Sequence, residues 1–185
     1  MEPPGITRHR RPFLAPLWVG LLGGLVIAAA AWSFLHAATT TVVFLVRPAE
    51  KDPGTIQDPP LSPEGEERAQ RLARMFGEVT GEGRVEALYE TDDRRAQQTG
   101  APLAERLHLT PGVFDAADGG SAAARALREH AGGTVLMIAS GAAQAQMIRE
   151  LTGTDLPSAA PDDPDLICVV SVPSFGHAHL ARLKF

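Results

Sequence analysis

The stretch Thr41-Val42-Val43-Phe44-Leu45-Val46-Arg47-Pro48-Ala49-Glu50 decides the fold. Its first six residues are β-branched or apolar, and an arginine, a proline and an acid follow soon after them. A short continuous apolar run of this kind is typical of a buried strand. In open α/β sheets, ligands bind beyond the carboxyl ends of the strands. Arg47 is therefore predicted to point toward a ligand site, and the residue after it is a proline that can neither attack nor carry a proton.

Strand-like and helical patterns alternate outward from this stretch. We predict strands at 40–46, 85–89, 113–114, 134–138, 166–172 and 179–183. Helices are predicted from Pro63, from a cap at Asp92 or Asp93 to Leu107, at 121–130 and at 142–151. The residues Pro173-Ser174-Phe175-Gly176 join the last two strands as a hairpin. Strand–helix alternation predicts a three-layer α/β/α fold whose sheet is mostly parallel, with an antiparallel edge.

The helix that begins at Pro63 shows how local signals set an element. Ser62 is predicted as its N-cap, with a proline in the first helical position and acids in the first turn. Its inward face is predicted to carry Leu72, Met75, Phe76 and Val79.

Composition excludes some classes of function. The chain has 185 residues, 44% of them hydrophobic, and a net charge of −5, which gives no basic face for nucleic acid. Its one cysteine, Cys168, lies in an apolar run and is predicted to be a buried, inert thiol. His177 and His179 could share a face, but no carboxylate has matching spacing, so we predict no metal and no cofactor.

No charged residue occurs between Phe13 and Val46, which is too long for one element. Divided near His36, the run gives a transmembrane helix at 13–36 and the first strand, because about 20 apolar residues cross a bilayer. A cleaved signal peptide is one alternative, although its apolar core would be unusually long. A buried helix is another, although no polar face is present.

The flanks of this apolar segment predict its orientation. Arg8, Arg10 and Arg11 precede it, while Trp18 and Trp32 lie near its two ends. Basic residues stay on the cytoplasmic side, and indoles favour the membrane interface. We therefore expect a cytoplasmic tail at 1–12, a single-pass anchor in the cell membrane, and an extracytoplasmic domain at 39–185.

Three segments are predicted to meet at one end of the sheet. Arg47 to Glu50 follow the first strand, Arg94 and Arg95 follow the second, and Ser140 follows the fourth. Helices that begin after strands present unpaired N–H groups there, which bind anions. Arginines add bidentate donors for phosphate or carboxylate.

These motifs resemble the histidine phosphatase superfamily, whose fold is phosphoglycerate-mutase-like. The resemblance covers about residues 40–185 and is strongest at Arg94-Arg95-Ala96-Gln97-Gln98-Thr99. It is closest to a small bacterial branch whose first motif reads Arg-His-Ala-Glu-Lys. In this family the first-motif histidine is the nucleophile, and two arginines and a second histidine surround the phosphoryl group.

When the family motif is carried over position by position, the resemblance implies a phosphate site that lacks its catalytic residues. Arg47 and Arg95 correspond to the two arginines, Pro48 takes the nucleophile's position, and Ser140 takes that of the second histidine. Both histidines are therefore absent. The resemblance implies phosphate binding by Arg47, Arg95 and Ser140, with Glu50 and Arg94 as further candidates, and no catalytic residue.

Three functions stay open on the sequence alone. The first is a membrane-anchored pseudophosphatase that binds a phosphorylated or other anionic ligand, or a protein partner. The second is an active phosphomonoester hydrolase in which Glu50 or Asp92 activates water. The third is an interaction module in which Arg47 and Arg95 pair only with neighbouring acids such as Glu50, Asp92 or Asp93, and Ser140 is only a helix N-cap.

Overall fold

A computed structural model of the chain describes residues 15–37, 39–54, 57–154 and 166–184. It separates into two compact units, residues 1–38 and 39–185. In the first unit the described residues form one helix, α1 (Ala15–Ala37). The predicted tail at 1–12 and the first residues of the predicted anchor lie outside the described residues.

The second unit alternates strands and helices, as the sequence predicts. Its strands are β1 (Thr40–Val46), β2 (Val85–Thr91), β3 (Gly112–Phe114), β4 (Thr134–Ile138), β5 (Leu166–Pro173) and β6 (His179–Lys184). Its helices are α2 (Pro63–Gly77), α3 (Arg94–Leu107), α4 (Gly119–Glu129) and α5 (Gly141–Thr152). Short 3-10 turns at Gly81–Gly83 and Ala116–Asp118 complete the chain path.

The six strands form one sheet in the order β3-β2-β4-β1-β5-β6. The first four of these are mutually parallel, and β5 and β6 are antiparallel to their neighbours. The predicted parallel sheet with an antiparallel edge is therefore confirmed. Because β1 and β4 are parallel neighbours near the centre, their carboxyl ends meet at the same edge of the sheet.

Two apolar clusters cover the two faces of the sheet. One contains Leu45, Met137 and Cys168 with residues of α4 and α5. The other contains Val46 and Ile138 with residues of α2 and α3. Every side chain of β4 is buried, which is what its continuous apolar sequence requires in a central parallel strand. Helices on both faces confirm the three-layer arrangement.

The inward face of α2 was predicted only in part. Leu72 and Phe76 are buried as expected, but Met75 and Val79 are 39% and 38% exposed. The buried face instead follows Ala69, Leu72, Ala73 and Phe76, and Val79 lies beyond the end of the helix. Successive side chains of an α-helix are about 100° apart around its axis. Because Phe76 lies in the middle of the buried face, Met75 lies at its edge.

The helix α1 carries exposed apolar side chains, among them Trp18 and Trp32 at 72% and 67% exposure. Across the residues that the structure describes, no helix meets both the length and the apolarity needed to span a bilayer.

Candidate functional site

A cavity of about 490 Å³ opens where β1 and β4 end and where α3 and α5 begin. Its wall is made by Arg47, Pro48, Ala49, Glu50, Lys51, Arg95, Ser140 and Gly141. The structure thus brings together residues that are far apart in the sequence but were predicted to meet. Arg94 was a further candidate, but its side chain is exposed and is not part of this wall.

Arg47 leaves the end of β1 and reaches the start of α5. A Cβ atom built on Gly141 would lie 3.4 Å from Nη2 of Arg47, so the guanidinium group lies over the first residue of the helix. Ser140 is the N-cap of α5, but its hydroxyl makes no capping hydrogen bond. The first N–H groups of a helix have no intrahelical acceptor. This side of the cavity therefore presents a guanidinium group and helix donors, with a serine hydroxyl not used for capping.

The segment after β1 is held in place by neighbouring elements. The N–H of Ala49 donates to the hydroxyl of Thr99 at 3.0 Å, and that hydroxyl donates to the carbonyl of Arg95 at 2.7 Å. The carbonyl of Glu50 accepts from the N–H of Ser62 at 2.9 Å. A side chain on Gly65 would collide with this carbonyl, so glycine allows α2 to pack against the wall of the cavity.

Arg95 lies in the first turn of α3, which is capped by its own sequence. A carboxylate oxygen of Asp93 accepts from the N–H of Ala96 at 2.9 Å, and the other oxygen accepts from the hydroxyl of Thr91. Of the two predicted caps, Asp93 is the one observed. Arg95 is half-buried, and its guanidinium makes no hydrogen bond or ion pair with another residue of the described chain.

The acids named as alternative partners of the two arginines have other roles. Glu50 Oε1 lies 3.2 Å from Nη1 of Arg68, which is buried in α2. Asp93 caps α3, and Asp92 is exposed and does not line the cavity. Glu50 Oε2 is buried and has no hydrogen-bond partner among the described residues. Of the acids proposed to activate water, the structure brings only Glu50 to the cavity.

Sequence reasoning missed a buried carboxyl group beneath α3. Glu90 ends its side chain against Gly100 of α3 and is only 5% exposed. Within the described part of the chain, its Oε2 has no hydrogen-bond partner. Burial, assisted by the charge of Asp93, raises the pKa of Glu90 to about 7. The only sequence signal was its position two residues after Leu88, since alternate residues of a strand face the same side of the sheet.

Cys168 is buried, as predicted. Burial raises the pKa of its thiol, and the positive charges of Arg182 and Arg47 act in the opposite direction. A thiol with a raised pKa is a poor nucleophile at neutral pH. The described residues contain no group of three or more His, Cys, Asp or Glu side chains that could hold a metal ion.

Comparison with known proteins identifies a family for part of the chain. The model of the histidine phosphatase superfamily (branch 1) matches residues 36–118. This range includes both arginines of the cavity and ends before Ser140. No curated protein matches the chain in sequence.

Solved structures share the fold at low sequence identity. The protein histidine phosphatase SixA complexed with tungstate is 20% identical, with a TM-score of 0.62 over 77% of this chain and 96% of its own. A mycobacterial glucosyl-3-phosphoglycerate phosphatase complexed with VO3 is 16% identical, with a TM-score of 0.61 over 80% and 99%. A phosphoserine phosphatase from Entamoeba histolytica in complex with 3-phosphoglyceric acid is 15% identical, with a TM-score of 0.56 over 78% and 97%.

Proposed function

We propose that the chain is a pseudophosphatase of the histidine phosphatase superfamily, which binds an oxyanion without hydrolysing it. The match of the family model over residues 36–118 and the shared fold support the family. The observation that carries the proposal is the composition of one cavity wall. Arg47, Arg95 and Ser140 lie there as potential anion ligands, together with Pro48. The resemblance of the sequence to the family places Pro48 at the position of the nucleophilic histidine.

The loss of hydrolysis follows from the chemistry of Pro48. A histidine nucleophile attacks through a ring nitrogen lone pair, whereas the proline nitrogen is part of an amide and also lacks an N–H for the phosphate. Ser140 has a hydroxyl, but a hydroxyl needs an adjacent base to become a nucleophile. None of the residues in the cavity wall is a histidine. Anion affinity is a separate property, because it depends on the guanidinium groups and helix donors that are retained.

Ligand-dependent stability tests the binding half of the proposal. Inorganic phosphate or vanadate should raise the melting temperature of the purified chain, and the rise should grow with the logarithm of the ligand concentration once it exceeds Kd. Arg47→Ala and Arg95→Ala should abolish the rise, whereas Arg128→Ala, an exposed position on α4, should leave it unchanged. The absence of any rise in the unaltered chain would favour an interaction module instead.

Turnover of an aryl phosphate tests the proposed absence of hydrolysis. We expect the chain to release no more product than its Arg47→Ala variant does. Clear turnover that Arg47→Ala abolishes would refute the pseudophosphatase. The competing hydrolase would then rest on Glu50, the candidate acid in the cavity wall, and Glu50→Gln should abolish turnover. Its engagement by Arg68 and its buried second oxygen argue against this role, since a general base must reach a water molecule.

We further propose that residues 13–36 anchor the protein in the cell membrane, with its N-terminus in the cytoplasm and the domain at 39–185 outside. The support comes from the sequence: the uncharged run, the flanking tryptophans and the preceding arginines.

Membrane extraction at alkaline pH tests the anchor. The chain should stay with the membrane pellet, and Leu25→Arg should release it, because a cation at the helix centre opposes insertion. Val113→Arg, an exposed site on β3, serves as the control. Protection of the domain from protease added outside the cell would contradict the orientation.

A further inference from the structure

The sheet ends on one side at β6, an edge strand of six residues. It pairs with β5 on its inner side, and none of the described strands lies on its outer side. Five of its six residues are exposed, and one of them, the apolar Leu183, is 53% exposed. A long exposed edge strand offers its outer N–H and C=O groups to another chain. The opposite edge, β3, has only three residues, so β6 is the edge with the longer ladder to offer.

The alternation of hydrogen bonds across the sheet shows which groups β6 directs outward. The N–H of Ser174 donates to the carbonyl of Thr39 at 2.9 Å. In an antiparallel ladder, hydrogen-bonded and non-hydrogen-bonded pairs alternate, so the even-numbered residues of β5 bond to β1 and the odd-numbered ones to β6. The odd-numbered residues of β6 are their partners. Its even-numbered residues therefore direct their backbone groups outward; these are Leu180, Arg182 and Lys184.

The sequence of β6 allows the strand to pair with a copy of itself. A copy related by a two-fold axis runs antiparallel, and outward-facing residues must meet outward-facing residues. Two registers then pair five of the six residues of β6, one centred on Ala181 and the other on Arg182. Like charges directly opposite each other destabilise a sheet. The register centred on Ala181 avoids this, because it places Arg182 opposite Leu180 of the second copy.

The same register covers the exposed apolar residue of β6. Leu183 lies opposite His179 of the second copy and diagonal to its Ala181, within the reach of cross-strand contacts. Leu180 and Arg182 of each copy exchange backbone hydrogen bonds with Arg182 and Leu180 of the other. The outer ladder of β6 is thereby paired, and the two sheets continue into one another.

We propose that β6 is an interface between two copies of this chain, which pair antiparallel about a two-fold axis at Ala181. The occupant of this edge is a second copy because the strand complements its own backbone pattern and its own charges in that register. The interface is independent of the proposed anion binding, since no residue of β6 lines the cavity.

Disulfide trapping of the full chain in detergent micelles tests the interface. Ala181→Cys should give a disulfide-linked dimer under mild oxidation, because opposed residues of a non-hydrogen-bonded pair have Cα atoms about 4.5 Å apart, within the range of a disulfide. His179→Cys, an exposed site on the same strand, is the matched control. Its two copies are four positions out of register, roughly 13 Å along the strand, and should give at least about tenfold less dimer. The unaltered chain, whose one cysteine is buried, is the blank.

Substitutions at the outward-facing positions test the pairing itself, each combined with Ala181→Cys. Arg182→Pro should lower the trapped dimer at least about tenfold, because it removes an outward N–H and leaves the bonds to β5 in place. Arg182→Ala keeps that N–H and should keep the dimer. Leu180→Lys should also lower trapping, since it faces Arg182 of the second copy, whereas Leu180→Glu should preserve or increase it.

The outcomes decide for or against the interface. Selective trapping at Ala181, lost with Arg182→Pro and with Leu180→Lys, supports it. Equal trapping at His179 and Ala181 would mean random collision, and no trapping at Ala181 would mean that the edge stays unpaired; either result overturns the proposal. If Arg182→Pro fails to fold, the opposed effects of Leu180→Lys and Leu180→Glu decide, and equal trapping in these two variants would also overturn it.

Discussion

The segment after β1 and the segment after β2 each bring one arginine to the cavity, but they are held by different means. Arg95 lies on a helix that Asp93 caps from two residues away. Arg47 lies on an irregular turn whose backbone is held by Thr99 of α3 and by Ser62 before α2. The placement of the second arginine is local, whereas that of the first depends on elements distant in sequence.

The two segments also differ in the surroundings of their carboxyl groups. Glu50, after β1, has the buried guanidinium of Arg68 as its partner. Glu90, in β2, faces apolar groups and Gly100, with Asp93 as its charged neighbour. The two groups therefore differ both in exposure, 37% for the side chain of Glu50 and 5% for Glu90, and in the presence of a cation.

Introducing histidines at positions 48 and 140 is expected to have the largest effect, and it tests whether the β1 segment has the geometry of an active phosphatase. Pro48→His with Ser140→His should raise aryl phosphate turnover by roughly 100-fold or more over the unaltered chain, because it supplies a nucleophile and a second imidazole. Pro48→Ala with Ser140→Ala is the matched control and should remain inactive. A folded double-histidine variant without turnover would show that the turn has lost the geometry as well as the residue.

Glu90 provides the next largest effect, through the pH dependence of stability. Its pKa is raised to about 7 in the folded state, so the folded state binds the proton more tightly than the unfolded chain does. The free energy of unfolding should therefore fall as pH rises from about 4.5 to above 7, by on the order of 3 kcal/mol.

Denaturant titrations of Glu90→Gln at pH 5 and pH 8.5 measure this effect. The variant should lose most of the pH-dependent fall, since its side chain stays neutral. Glu105→Gln, at an exposed site on α3, is the control and should keep the fall. An unchanged pH profile in Glu90→Gln would mean that Glu90 does not titrate in this range.

Thr99→Val is expected to have a smaller effect on stability. It removes the hydrogen bond that connects the segment after β1 to α3. The substitution keeps the shape of the side chain but leaves the buried N–H of Ala49 without its acceptor, which costs about 1–3 kcal/mol. Phosphate affinity should also fall, because the turn that carries Arg47 loses a fixed point. Thr110→Val, at an exposed position, should change neither quantity. Stability lost without any loss of affinity would show that the turn is held by its other contacts.

Much of the fold could be read from the sequence because its signals are local. The apolar run of β1, the fully apolar β4 and the Ser62-Pro63 start of α2 each predicted an element that the structure confirms. The inward face of α2 was less predictable, since an apolar residue such as Met75 can lie at either edge of a helix face. The buried positions there include Arg68, whose partner is set by tertiary packing.

By itself, the sequence determined that Arg47 follows a buried strand and that a helix capped by Asp92 or Asp93 carries Arg95. Its resemblance to the family implied that Pro48 stands at the position of a nucleophile. These follow from residue chemistry and from neighbours within a few positions. Only the tertiary structure decided that Thr99 holds the turn of Arg47, that Glu90 is buried without a cation, and that Arg47 reaches Gly141 at the start of α5. Those relations join residues that are ten to about ninety positions apart, and strand register and helix packing, rather than local propensity, bring them together.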